Sequence, residues 1–385
     1  MKILMILQSK FPPDIRVEKE ARALLKTGYT IDLLCNNYTG LATEDTYSGI
    51  RVHRLRNKPF SRIINLPLFC NPVWVWKIYS LIISVRPDVI HIHDLPLFLT
   101  GAFLGKLFNI PTVFDMHENY PAMLKATKGM FTLKNPYLAA VIERIAIRIA
   151  DYIIVVVEEQ RERLINLGVP EEKIVIASNT ADLEHLDNLQ IDLKIKKELN
   201  AKFTPVVSYI GGFPRRGLKT VLQAISIASS ELSDIYLLMV GDGKGRKDLE
   251  KEADKLGITE RVNFVGWVNF IDVPSYIIAS DICLVPHPVN SHTNSTIPHK
   301  LFQYMAFGKP VIVTDASPLA RIVKDCKCGI VITSEDANEM ADAIITLSDK
   351  RLASRLGENG RKSVEKIYNW KNTSKELIRF YKQLQ

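Results

Sequence analysis

The sequence is poor in cysteine, with five in 385 residues: Cys35, Cys70, Cys283, Cys326 and Cys328. An odd set without a Cys-x-x-Cys pair excludes a disulfide scaffold. Cys326 and Cys328 stand two apart with no second pair to complete a zinc site. Reduced thiols in a cytoplasmic protein are the expectation. A long unbroken apolar run is also missing. The longest stretch, 63–85, is interrupted by Asn65, Pro67, Asn71, Pro72 and Lys77, which is poor for a membrane span. The opening MKILMILQ is too short for a signal-peptide core, and no small-residue cleavage site follows it. A buried first strand is expected there. Acidic residues are absent between Asp45 and Asp88. No RRM, KH or zinc-finger pattern occurs, which argues against nucleic acid.

What is present is ordinary globular composition, 47% hydrophobic and 24% charged. The length suits two domains. Fifty basic against 42 acidic residues give a net charge of +8, which favours an anionic ligand without choosing one. Strand-like and helix-like segments alternate along the chain. Lys2–Leu7, Tyr29–Cys35, Val89–His93, Thr112–Asp115 and Tyr152–Val157 read as strands, with an amphipathic helix over Arg16–Lys26. The rhythm pauses over the polar stretch Asp182–Lys202. It restarts with strands at Pro205–Ile210, Ile235–Val240, Val262–Val265, Ile282–Val285 and Val311–Thr314. Near-continuous apolar runs imply parallel strands buried on both faces. Two doubly wound Rossmann-like α/β domains follow, facing one another across a cleft, over 1–185 and 186–367. A final helix, 368–385, is expected to pack back on the first. Ligands of such sheets bind beyond the C-terminal strand ends.

Three segments carry chemistry. Gly211-Gly212-Phe213-Pro214-Arg215-Arg216-Gly217-Leu218 is a Gly-rich turn between a strand and an amphipathic helix. Such a turn lets a phosphate approach the backbone, and a helix N-terminus and two Arg add positive potential. Gly241-Asp242-Gly243-Lys244-Gly245 follows the next strand but lacks a full dinucleotide fingerprint. Ser295-Thr296-Ile297-Pro298-His299-Lys300 opens a helix that Gly308 closes. Lys300 and Gln303 lie about one turn apart on it and face the same way.

Together these segments resemble glycosyltransferase family four, the likeness spanning nearly the whole chain. Gly-Gly…Arg-Arg-Gly-Leu, then Val-Gly-Asp-Gly, then Pro-x-Lys-Leu-Phe-x-Tyr-Met-Ala-x-Gly-Lys-Pro-Val-Ile occur in the family's order. Phe11–Arg22 looks like its first acceptor-side loop and helix. His91-Ile92-His93-Asp94 and Asp115-Met116-His117-Glu118 look like its later strand ends, and Ala177–Asp182 like its hinge. The resemblance implies the GT-B fold. It also implies a retaining transfer of a hexosyl-type sugar from a nucleotide-sugar donor, without a required metal or other cofactor.

By that resemblance, catalysis falls to His117, Arg216 and Lys300, with His117 facing the reacting sugar. Donor binding falls to Gly211, Gly212, Arg215, Gly241, Ser295, Thr296 and Gln303. Asp14, Arg16, Asp94 and Glu118 form the acceptor side. Ser295 and Gln303 replace the two acids of the family's Glu-x7-Glu. A Gln carbonyl still accepts from a ribose hydroxyl, more weakly than a carboxylate.

His91, His93 and Asp94 have a spacing that can ligate zinc, but no further cluster of matching spacing occurs. No metal site is expected, and Asp94 is read as the cap of the following helix. Seven basic residues in the acid-free stretch (Arg51, Arg54, Arg56, Lys58, Arg62, Lys77, Arg86) are interleaved with Phe60, Phe69, Trp74, Trp76 and Tyr79. That pattern suits peripheral contact with anionic lipid at the inner face of a membrane. The partners expected are a nucleotide sugar and a glycan or lipid-linked acceptor of surface polysaccharide synthesis. An inactive homologue binding a partner enzyme, or a nucleotide-sugar epimerase, are the competing readings.

Overall fold

A nine-residue strand opens the chain because Ile3, Leu4, Met5 and Ile6 leave no polar face. The computed structural model describes residues 1–37, 40–55, 71–127, 135–213 and 217–384. They divide into two units, Met1–Ser178 with Thr373–Gln385, and Asn179–Asn372.

The first unit is built on a sheet of β1 (Lys2–Lys10), β2 (Thr30–Asn36), β3 (Glu44–Tyr47), β4 (Ile50–Leu55), β5 (Val89–His93), β6 (Thr112–Met116), β7 (Tyr152–Val155) and β8 (Ile174–Ile176). The order is β3-β4-β2-β1-β5-β6-β7-β8. Among the described residues of this sheet, only the edge pair β3–β4 is antiparallel. The helices are α1 (Ile15–Leu25), α2 (Pro72–Val85), α3 (Leu95–Leu107), α4 (Tyr120–Thr127), α5 (Pro136–Ile149) and α6 (Glu158–Asn166). Asp14 starts α1 by accepting from the N–H groups of Arg16 and Val17, the usual N-cap device. Asn71 does the same for α2, which Arg86 ends in the left-handed region (φ 52).

The second unit holds α7 (Leu183–Asp187), α8 (Leu193–Asn200), β9 (Val206–Ile210), α9 (Lys219–Ala228), β10 (Tyr236–Val240), α10 (Arg246–Lys255), β11 (Val262–Gly266), α11 (Val273–Ala279), β12 (Ile282–Val285), α12 (His299–Ala306), β13 (Val311–Thr314), α13 (Ser317–Cys326), β14 (Gly329–Ile332), α14 (Ala337–Leu347) and α15 (Lys350–Lys366). Its six strands run parallel in the order β11-β10-β9-β12-β13-β14. The last helix, α16 (Trp370–Gln383), begins in this unit, and from Thr373 its residues belong to the first.

Both sheets are doubly wound α/β, as the apolar runs imply. Four strands escape the sequence reading. β3 is mostly exposed and β8 only three residues long, so neither prints a strong apolar pattern. β4 and β14 were also missed. The polar stretch 182–202 is not a bare connection: it carries α7 and α8, capped by Asp182 and Asp192. Trp74 is not at an interface but in the core beside Ile78 and Phe98. Arg54 is buried too, donating to the carbonyls of Phe11 (3.1 Å) and Ala42 (2.9 Å). Arg56, Lys58, Phe60, Arg62, Phe69 and Cys70 lie outside the described residues. The other four cysteines are free thiols. No described helix is long and apolar enough to cross a membrane.

Candidate functional site

In the second unit, glycines sit where parallel strands end. Gly211 (φ 144) follows β9, Gly241 (φ 131) follows β10, and Gly266 (φ 89) closes β11. The backbones touch there. A Cβ on Gly241 would collide with the Gly211 carbonyl oxygen, and one on Gly243 would stand 2.5 Å from the Phe213 oxygen. The Gly211 N–H already donates to Val240 (2.9 Å) and that of Gly241 to Gly266 (2.8 Å). These two glycines therefore contribute close approach, not free donors.

The first turn of α12 brings Lys300 to this point. Its ammonium lies 4.1 Å from the centre of the Tyr209 ring, in cation–π geometry. A Cβ on Gly211 would be 2.5 Å from Lys300 Nζ. Tyr209 is fixed by its hydroxyl, which donates to Gly212 O at 2.7 Å. Burial pushes Lys300 down to about 7. His287, just past β12, is pushed down to about 3 by burial and by nearby Lys300. Sequence reading missed His287; no periodicity marks a residue placed by a strand end.

Gln303 is half-buried on α12, one turn from Lys300. Tyr304 faces inward, where its hydroxyl accepts from the Ile210 N–H (3.1 Å). Ser295 is turned away from a donor role. It is buried, and its hydroxyl donates to the carbonyls of Ser291 (2.7 Å) and His292 (3.1 Å) in its own turn. Thr296 follows it in extended conformation, half-buried. Arg215 and Arg216 lie outside the described residues.

In the first unit, Arg16, Asp94 and Glu118 line one pocket of ≈ 340 Å³, with His93 and Tyr120 in its wall. Asp14 is brought to it through Arg16 (3.4 Å). Burial opposes the charge on Arg16, but Asp94 and Asp14 together hold its pKa above the usual value. Asp14 likewise stays below its ordinary value despite burial, because of Arg16. Glu118 is pushed up to about 7 by burial and then by Asp94. Asp94 stands at the N-cap of α3 but makes no side-chain cap bond. With φ 62 its side chain is not in capping geometry, and its charge acts on Arg16 through space.

Behind this pocket three imidazoles converge on one oxygen. Asp115 Oδ2 is 3.2 Å from His91 Nε2, 2.7 Å from His93 Nδ1 and 2.6 Å from His117 Nε2. All four residues are at most 2% exposed. Burial alone would neutralise Asp115, but His117 and the hydrogen bonds hold it well below the carboxylate range. In return Asp115 outweighs burial and raises His117 to about 9. His91 stays neutral, lowered to about 4 by burial and His93. Glu20 is pushed well above its usual range by burial and by Asp115. The pairing of His91 with His93 is therefore real, but its third member is Asp115 and not Asp94. Glu20, His91, His93 and Asp115 have polar atoms within 4.8 Å of one another, drawn together by the carboxylate.

Two α/β units on mainly parallel sheets, the second with glycine turns at its strand ends, have the build of the GT-B class, and similar solved structures bear this out. A sucrose-phosphate synthase of Thermosynechococcus elongatus superimposes with TM-score 0.83 at 22% identity, over 100% of this chain and 98% of that one. HepE of Anabaena, solved with UDP-glucose, superimposes with TM-score 0.73 at 18% identity, over all of both chains. A glycosyltransferase of Methanocaldococcus jannaschii, MJ1607, is 23% identical over 99% of this chain and 98% of its own. Sequence models described as Glycosyltransferase Family 4 and Glycosyl transferases group 1 match residues 15–185 and 190–363. The chain belongs to glycosyltransferase family four.

Proposed function

We propose that the chain transfers a hexosyl-type sugar, with retention, from a nucleoside-diphosphate donor to a hydroxyl of a glycan or lipid-linked acceptor in surface polysaccharide synthesis. No metal ion is needed. The observation that carries this reading is the amine already in place, ready to take a proton as an anion binds: Lys300, held between the Tyr209 ring and the Gly211 backbone at the strand ends. Breaking the anomeric bond leaves charge on the diphosphate. A fixed ammonium stabilises that charge without reorganisation. Arg216 is proposed to share the task, and Gln303 to accept from the ribose. Front-side attack by the acceptor hydroxyl needs no protein nucleophile. UDP-sugars head the list of donors to try, since HepE was solved with UDP-glucose.

The pocket of Arg16, Asp94 and Glu118 is proposed for the acceptor, and His117 for the reacting sugar. Contact with an anionic membrane is supported by the outer faces of α2, α3 and α5, which pack side by side. Trp76, Phe103 and Tyr137 are 68%, 65% and 80% exposed there, with Lys106, Arg144 and Arg148 also exposed. Aromatic groups flanked by cations suit a lipid interface.

The test is a thermal-shift panel of nucleotides and nucleotide sugars, followed by transfer assays in EDTA, on wild type, Lys300→Ala and Arg216→Ala. A shift for one nucleotide class that both variants weaken supports the donor site. No shift with any member would favour the inactive homologue, a reading that the inward-turned Ser295 encourages.

A further inference from the structure

Helix α16 returns to the first unit and places Tyr381 in it, fully buried. Its hydroxyl is 2.5 Å from His91 Nδ1. The ring lies nearly parallel to that of His91, at 11° and 6.2 Å between centres. From His91 the stack continues to His93 at 4.3 Å and to His117 at 5.9 Å. A column of four rings thus runs from the last helix to the end of β6.

Donor and acceptor roles along this column are fixed by the chemistry. The ionised Asp115 only accepts. His91 Nε2, 3.2 Å from it, therefore carries the proton, and neutral His91 has a lone pair at Nδ1. The group facing that lone pair is the Tyr381 O–H, which donates. A donor on one ring nitrogen strengthens the N–H on the other. The His91 N–H in turn steadies the oxygen that pairs with His117. Phe380 and Leu377, on the same helix, are buried and only pack.

We propose that Tyr381 is a positioning residue for transfer: its hydroxyl orients His91, which holds Asp115 in place to orient His117. The inference rests on His117 acting in the proposed reaction. The charged and titratable groups facing His117 are Asp14, which caps α1, Arg16 and Glu20 of α1, His91 and His93 of β5, Asp115 of β6 and the neighbouring Glu118.

Tyr381→Phe keeps the ring and removes only the hydroxyl, and Phe380→Leu serves as a packing control. In Tyr381→Phe, kcat is expected to fall roughly three- to tenfold, the size of one hydrogen bond, with donor KM unchanged. The weaker His91 N–H leaves more of the Asp115 charge for His117, so the alkaline limb of the kcat profile moves to higher pH. Phe380→Leu lowers stability and leaves that limb where it is. Nitrogen-15 spectra of labelled histidine read the relay without turnover. The His91 Nδ1 resonance should move toward that of a free imine nitrogen, and the His117 resonances should follow. Unmoved His117 resonances in Tyr381→Phe would overturn the relay. So would a displacement of the alkaline limb in the packing control equal to that in Tyr381→Phe. A wild-type chain that transfers no sugar would sink the proposed function, while the histidine spectra would still decide the relay.

Discussion

Lys300 shows how one side chain joins packing to chemistry. Burial holds it down to about 7, so above that pH it is neutral until an anion restores its charge. A sugar-linked diphosphate has no proton to lose in this range. Donor binding above pH 7 must therefore draw in a proton, and affinity should fall by up to about tenfold per pH unit. Calorimetry with UDP-glucose between pH 6 and 9, in buffers of different ionisation enthalpy, measures that uptake. Lys300→Ala should lower kcat by about 10²–10³, read by transfer assay. His117 runs the other way. Its folded value of about 9 lies above the ordinary imidazole value of 6.5. Its contribution is full below pH 6.5 and is lost as pH rises through 9. Urea unfolding of wild type and His117→Gln should show a gap of roughly 3 kcal/mol at pH 6 that closes by pH 10. The residue types at both sites were legible in the sequence. Their protonation was not, because it depends on burial and on partners such as Asp115, which lies 24 positions from His91.

At the scale of elements, the strand ends of the second unit depend on bare backbone. Gly241→Ala puts a methyl group into the Gly211 carbonyl at a φ of 131. We expect a loss of at least about 2 kcal/mol in urea unfolding, together with weaker nucleotide-sugar binding. Gly212, with nothing within 4 Å of its Cβ position, should accept Ala with far less loss. Strong apolar patterns made most of these strands legible: Val89–His93, Ile282–Val285 and Val311–Thr314 have the bounds read from the sequence. The failures were elements whose fit comes from neighbours. β3 is held by β4, α7 by its Asp182 cap and by the pairing of Asp187 with Arg361 of α15 (3.3 Å), and α8 by its cap and by α11, whose Ser275 hydroxyl accepts from the Asp192 N–H (2.9 Å).

At the scale of the whole molecule, the two units each have a core of their own, yet the chain's end is built into the first. Deleting 373–385 removes buried Leu377, Phe380 and Tyr381 and takes the donor from His91. That deletion should lower the melting temperature while leaving the stabilisation by a bound nucleotide sugar in place. The measurement is a melting curve with and without UDP-glucose. The exposed aromatic and basic faces of α2, α3 and α5 make a separate prediction. The protein should co-sediment with anionic vesicles at low salt and be released as salt rises. Trp76→Ala with Tyr137→Ala should weaken that binding, with no change expected in donor affinity.

The sequence by itself determined the α/β class, the parallel strands and the family, because apolar runs, glycines and the order of motifs are written along the chain. Only the tertiary structure decided what the polar residues do. It turned Ser295 into its own turn, made Arg54 and Trp74 internal, and set Asp94 in the wall of a pocket beside Arg16 with no helix-cap bond. It also gathered Glu20, His91, Asp115, His117 and Tyr381 from α1, β5, β6, the turn after β6 and α16. Charge, hydrogen bonding and proton affinity are set by which groups share a buried volume, and distance along the chain carries no record of that.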